Sequence, residues 1–216
     1  MKYKQMKRKT KLNNIIQYFH TQQPKPKTEL NYNSEYELTV AVILSAQCTD
    51  KRVNLITPNF FIKFPDFFSL SKAIHQEVFA CIKSCSYPNN KTKHLIQLAK
   101  ELTEKHKGKI PYNSEELMKL PGIGRKTAHV LLSVLKGEPV LAVDTHVFRV
   151  ANRIGLAKNA KTSLAVEKQI VELVEDKAIL SKLHHWLMLH GRYVCLARKP
   201  KCKECGISKW CGFGSE

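Results

Sequence analysis

With 216 residues the chain can bury a substantial core, and its 43% hydrophobic content falls in short scattered groups, as in a globular protein. No apolar run approaches the roughly eighteen residues that would mark a membrane span, so a membrane role is excluded by expectation. Thirty-six Lys and Arg against eighteen Asp and Glu leave a formal charge of +18, a surplus that repels itself unless a polyanion such as nucleic acid is the neighbour.

The N-terminus is basic, but residues 1–12 lead into Asn13 and Asn14 rather than an apolar signal region, so a cytoplasmic protein is expected, nucleoid-associated if bacterial. Lys2, Lys4, Lys7, Arg8, Lys9, Lys11, Lys25 and Lys27 all precede the first acidic residue, Glu29. That arm would either contact phosphates or serve as a solvated basic tail. Apolar spacing is helical almost throughout and lacks alternating β-branched runs, which predicts an all-α protein. A short helix over 12–19 gives way to a linker at 21–27 marked by Pro24 and Pro26. Leu38, Val42 and residues 44–46 predict a buried helix ending near Gln47. Asp50 is expected to cap the next, with Val53, Leu55 and Ile56 on its inner side. Further helices are expected over 70–74, 78–83, 91–106, 114–120, 125–135, 145–154, 163–174 and 180–190. No spare apolar stripe is visible, so the chain is expected to be a monomer.

Between two of these helices lies Leu120-Pro121-Gly122-Ile123-Gly124-Arg125-Lys126-Thr127. Asn113-x-x-Glu116 reads as a capping box, Pro121 as a stop, and Gly122 and Gly124 as a sharp turn that aims backbone amides outward at a helix N-terminus. This is a phosphate site in a helix-hairpin-helix, or else a plain αα-hairpin. Lys126 falls in the first turn, where the helix dipole disfavours an ammonium and partial burial would depress its pKa, leaving a nucleophilic amine; a phosphate-binding role like that of Arg125 is the other reading. Asp144, after the apolar Leu141-Ala142-Val143, reads as an N-cap, and a capped carboxylate is also rigid enough to serve Schiff-base chemistry.

The tail places Cys195-x6-Cys202-x2-Cys205-x5-Cys211. Four such thiolates suit an iron–sulfur cluster or a zinc site, and one close pair flanked by uneven gaps favours the cluster. Arg198, Lys199, Lys201 and Lys203 would offset its charge and reach phosphate. An odd seven cysteines argue against a disulfide framework. Cys48, Cys81 and Cys85 read as buried free thiols, with Cys81 and Cys85 one helical turn apart. His184, His185 and His190 read as packing and hydrogen-bonding residues.

From about Asn14 to Cys211 the chain resembles the endonuclease III family of helix-hairpin-helix DNA glycosylases. The likeness is carried by Leu44-Ser45-Ala46-Gln47, the hairpin, Ala142-Val143-Asp144-Thr145-His146, His190-Gly191-Arg192 and the four cysteines, in the family's order and spacing. The resemblance implies a helical barrel domain over 28–135 ending in the hairpin. It also implies a discontinuous domain, 1–27 and 136–216, bearing a [4Fe-4S] cluster, with a DNA cleft between the two. It implies that Lys126 attacks C1′ of a damaged nucleotide while Asp144 assists its deprotonation and stabilises charge on the sugar. The enzyme would then be a base excision glycosylase for oxidised or ring-saturated pyrimidines and an abasic-site lyase. Gln47 would fill the gap left by the flipped base, with Gly122, Gly124 and Arg125 on the phosphates of double-stranded damaged DNA. In Ser86-Tyr87-Pro88, Tyr87 stands where many relatives have an aliphatic wedge preceded by glycine; it would stack between bases, or simply pack on Pro88. Two other readings stay open: a glycosylase for mismatched thymine or uracil, and a non-catalytic DNA-binding iron–sulfur protein.

Overall fold

Helical periodicity dominates the sequence, and the computed structural model, which describes residues 7–213, is helical accordingly. The described residues form eleven α-helices and two short 3₁₀ turns, with no strand. They divide into two compact units: residues 29–136, and a discontinuous unit of the described residues before 29 with those after 136. None of their helices is long and apolar enough to cross a membrane.

The unit of residues 29–136 is built around α2 (Glu35–Ser45), whose Tyr36, Leu38, Thr39, Val40, Ala41, Val42, Ile43 and Leu44 are all buried. A helix apolar on every side must be enclosed by others. Ser34 caps its start by accepting the Glu37 amide. In α3 (Asp50–Lys63) the inner stripe is Val53, Thr57 and Phe60, at the i, i+4, i+7 spacing of one face. Leu55 lies roughly opposite Val53 on the helix and is 68% exposed, against the expectation that it faces inward. The cap is Thr49, which accepts from the Arg52 amide, and Asp50 is the first helical residue. The stretch read as a helix over 70–74 is the short α4 (Phe67–Ser71) followed by a turn. Ile74, 59% exposed, then precedes α5 (His75–Ile82). In α6 (Pro88–His106), proline at the first position starts the helix three residues earlier than expected. Its end is closed by Lys107 and Gly108, both at positive φ, with the Gly108 amide donating to Leu102 O. Next come α7 (Ser114–Lys119) and α8 (Arg125–Lys136), the latter stopped by Gly137 at φ +66°.

In the discontinuous unit, α1 (Arg8–Gln22) presents Leu12, Ile15 and Phe19 to a core it shares with α9 (Thr145–Arg153), α10 (Ser163–Leu173) and α11 (Ile179–Tyr193). Leu12 and Ile15 are fully buried, each contributing about 1.5–3 kcal/mol. Phe19 stacks on Trp186 at 6.0 Å between ring centres, and the indole N–H donates to Gln23 O at 2.8 Å. The first helix is longer than apolar spacing predicts because its basic residues also have protein partners. The Arg8 guanidinium donates to Leu156 O and Gln169 Oε1, and Lys11 Nζ to Ile154 O at 2.8 Å. Lys9 pairs with Glu175. Arg8 and Lys11 thus fasten α1 to the end of α9 rather than waiting for phosphate. Lys2 and Lys4 of the same arm lie outside the described residues.

Candidate DNA-binding and catalytic residues

In the hairpin, the Asn113 side chain accepts the Glu115 and Glu116 amides and so starts α7. The Ile123 amide turns back to Leu120 O and the Ala128 amide to Gly124 O, which closes the loop onto α8. Gly122 sits at φ +78°, and a Cβ there would come within 3.0 Å of His94 Cβ. Gly124 has no such backbone need, and no atom lies within 4 Å of where its Cβ would be. The two glycines therefore do different jobs: one makes the turn, the other leaves an open surface at a helix N-terminus. Arg125 is exposed there and Lys126 half-buried in the first turn of α8. At the far end of α8, the Lys136 ammonium sits 3.7 Å from the Tyr112 ring centre, and the Tyr112 hydroxyl donates to Glu35 at the start of α2.

Gln47 and Tyr87 are both exposed and both left-handed, each at φ 54°, a conformation that costs a non-glycine residue energy. Tyr87 is 61% exposed, so it projects from the loop rather than burying itself there. The Ser86 hydroxyl donates to Gln47 O at 2.6 Å, which joins the two loops. Beneath them the Cys85 thiol lies against that of Cys48, not Cys81, because α5 ends at Ile82. Burial, reinforced by Cys48, pushes the Cys85 thiol up to about 11. Only Cys85 of these three cysteines is buried; Cys48 and Cys81 are half-buried.

In the other unit Asp144 caps α9: its Oδ1 accepts the Val147 amide at 2.7 Å. The extended segment before it is fixed by His184, whose Nδ1 lies 2.8 Å from Ala142 O. Gly191 of α11 crosses α9 so closely that a Cβ would sit 2.9 Å from His146 Cβ and 3.0 Å from Val150 Cγ2. The outer face of α9 carries two arginines whose role residue patterns did not disclose. Arg149 Nη2 donates to Gly191 O at 2.7 Å and to Cys195 O at 3.0 Å. Arg153 donates to Leu196 O at 2.6 Å and Ala197 O at 2.8 Å, and lies 3.6 Å from Cys195 Sγ. One short helix therefore holds Asp144 at its start and the entry to the cysteine tail at its end.

The tail folds as two 3₁₀ turns, Cys202–Glu204 and Ser208–Trp210, with Ile207 fully buried between them. A Cβ on Gly206 would lie 1.9 Å from the Tyr18 hydroxyl oxygen, so a larger residue there would force the Tyr18 ring to move. Burial pushes the Cys205 thiol up, and the thiols of Cys211, Cys195 and Cys202 add to the rise. The four sulfurs thus sit close enough to act on one another. Among the described residues, however, no three His, Cys, Asp or Glu side chains close on a point to hold a single ion. Donors also address the sulfurs: the Phe213 amide reaches Cys211 Sγ at 3.4 Å, and Arg153 approaches Cys195. His190, which burial lowers to about 4, stands 3.6 Å from Cys205 Sγ. Arg198, Lys199, Lys201 and Lys203 are all exposed.

Residues 40–176 match the family model of the HhH-GPD superfamily base excision DNA repair protein. Endonuclease III of Rickettsia conorii is 46% identical over 202 residues, 94% of this chain and 95% of the relative. That of Escherichia coli K12 is 39% identical over 205 residues, 95% and 96% of the two chains. The fold is similar to an endonuclease III trapped as a covalent intermediate with DNA, with a TM-score of 0.91, 36% identity and coverage of 97% and 98%. It is also similar to a thermostable thymine-DNA glycosylase, at TM-score 0.82, 25% identity and coverage of 95% and 96%. On these grounds, together with the hairpin and the four-cysteine tail, the chain belongs to the endonuclease III family of helix-hairpin-helix base excision DNA repair proteins.

Proposed function

We propose that this protein is a bifunctional base excision repair enzyme acting on damaged double-stranded DNA. As a glycosylase it removes oxidised or ring-saturated pyrimidines such as thymine glycol, and as a lyase it then cuts the abasic strand. In this reading the hairpin, through Gly122, Gly124 and Arg125, grips phosphate, Gln47 fills the space of the extruded base and Tyr87 wedges the strands. Asp144 assists deprotonation of the Lys126 ammonium and stabilises positive charge developing on the sugar. The free amine forms a bond to C1′ as the C1′–N glycosidic bond breaks, and the base leaves with its electron pair and a proton. Opening of the sugar ring gives an imine on Lys126, whose acidic C2′ proton is then lost. The C3′–O bond breaks, which cleaves the strand on the 3′ side. Residues 28–135 form the hairpin-bearing domain in this scheme, and residues 1–27 with 136–216 the other. Cys195, Cys202, Cys205 and Cys211 would hold a [4Fe-4S] cluster, which when bound supplies architecture by pinning a short basic loop.

The observation that carries this reading is the likeness, over 97% of the chain, to an endonuclease III caught covalently on DNA, in a chain with an amine at the first turn of α8. The weaker likeness to the thymine-DNA glycosylase keeps mismatched thymine as the second reading. Borohydride trapping on duplexes carrying thymine glycol, a T·G mismatch, uracil or an abasic site separates them. A covalent adduct with thymine glycol that is absent in Lys126→Gln, with DNA affinity retained, is the expected result. Adducts confined to the mismatch would support the second reading, and no adduct on any duplex would refute both.

A further inference from the structure

The amine of Lys91 is nearly removed from solvent, with the residue only 6% exposed. Its Nζ donates to Leu44 O and to Ala46 O, each at 2.7 Å. These are carbonyls at the C-terminal end of α2, where a helix has acceptors left over and where its dipole favours a cation. The residue after them is Gln47. The same Lys91 gives its backbone N–H to Tyr87 O at 3.1 Å, closing the first turn of α6. A single residue therefore bonds to the root of both strained loops, and the Ser86 hydroxyl adds a second tie at Gln47 O. Its other neighbours are the Cys85 and Cys48 thiols; burial lowers the lysine pKa and those thiols partly restore it. Burying an ammonium is costly unless hydrogen bonds replace its water, and here the two carbonyls at the end of α2 do so.

We propose that Lys91 is a positioning residue that locks the Gln47 loop and the Tyr87 loop into one rigid insert, so that gap filling and strand wedging occur as a single event. The inference rests on the reading of Gln47 and Tyr87 as the groups that enter the duplex. Lys91 itself touches no DNA in this scheme; it fixes the distance between two groups that must arrive together. A site loose by an ångström costs about a hundredfold in rate.

The test compares wild type, Lys91→Met and Ser86→Ala in single-turnover release of thymine glycol from a paired duplex. The same lesion in an unpaired bubble and trapping at a preformed abasic site serve as the other substrates. Methionine keeps the packing of the stem and removes the donor. Lys91→Met is expected to slow release from the paired duplex about a hundredfold, and Ser86→Ala about tenfold, the loss of one hydrogen bond. Both defects should shrink in the bubble, where little unstacking is needed, and trapping at the abasic site should stay at the wild-type rate. A purely structural role would lower all three substrates together, and that result, or no loss on any, overturns the proposal. Should Lys91→Met fail to fold, Ser86→Ala, which deletes one hydroxyl, decides by the same comparison. Failure of the underlying function would show in the wild-type protein itself, as no release and no trapping.

Discussion

Replacing Arg153 by Met tests whether α9 anchors the cysteine tail. The substitution keeps most of the aliphatic stem and deletes the guanidinium, which makes two short bonds, 2.6 Å to Leu196 O and 2.8 Å to Ala197 O. Each bond to a charged donor contributes about 1.5–3 kcal/mol, and partial exposure at this site reduces the sum to about 2–4 kcal/mol. For a chain of this length each kcal/mol moves the midpoint by about 2–4 °C, so Tm should fall by about 4–16 °C. The cluster proposed for the tail should also be lost faster, read as decay of visible absorbance in air. Arg198→Met removes the same charge from an exposed position on the tail and should leave both readouts unchanged. A fall of less than about 1 °C, with absorbance decaying at the wild-type rate, would refute the anchoring role.

Asp144→Asn retains an oxygen for the Val147 amide and should abolish base release with little change in Tm, whereas Asp144→Ala should lose both activity and about 1 kcal/mol of cap; single-turnover excision and thermal melts separate the two. Gly122→Ala should destabilise the hairpin by at least about 1 kcal/mol because of its φ of +78° and its contact with His94. Gly124→Ala, with open space around it, should leave Tm unchanged and weaken only DNA affinity in a filter or polarisation assay. The Cys85 thiol, pushed up to about 11 by burial, binds its proton more tightly folded than unfolded. The stability this gives is fully present below the ordinary thiol value of 9.0 and is lost as pH rises to about 11. Wild type should therefore lose more stability than Cys85→Ala between those pH values in urea titrations, by about 2–3 kcal/mol at most.

Features set by neighbours in sequence were legible in advance. The Asp144 cap follows from an acidic residue placed before an apolar-periodic run. The hairpin was readable for the same reason, although only Gly122 proved to need its glycine for backbone conformation. Features set by distant partners were not legible. The length of α1 depends on carbonyls at Ile154 and Leu156. Thr49 and Asp50 are both good caps, and only the path of the loop from Gln47 chooses between them. The pairing of Cys85 with Cys48 rather than Cys81 came from α5 ending early. Arg149, Arg153 and Lys91 carry no local mark, since their acceptors are backbone oxygens tens of residues away.

The discontinuous unit also dictates an order of events at birth. Arg8 must find Leu156 across 148 positions, and Gln23 must find Trp186 across 163. At about 5–20 residues per second, α1 leaves the ribosome and waits about 7–30 s for the carbonyls it will bind. During that wait residues 29–136 emerge complete and can close on their own contacts. Leu12, Ile15 and Phe19 meanwhile face solvent with no partner yet made, so a stalled or truncated chain would display them as a ready target for chaperones and proteases.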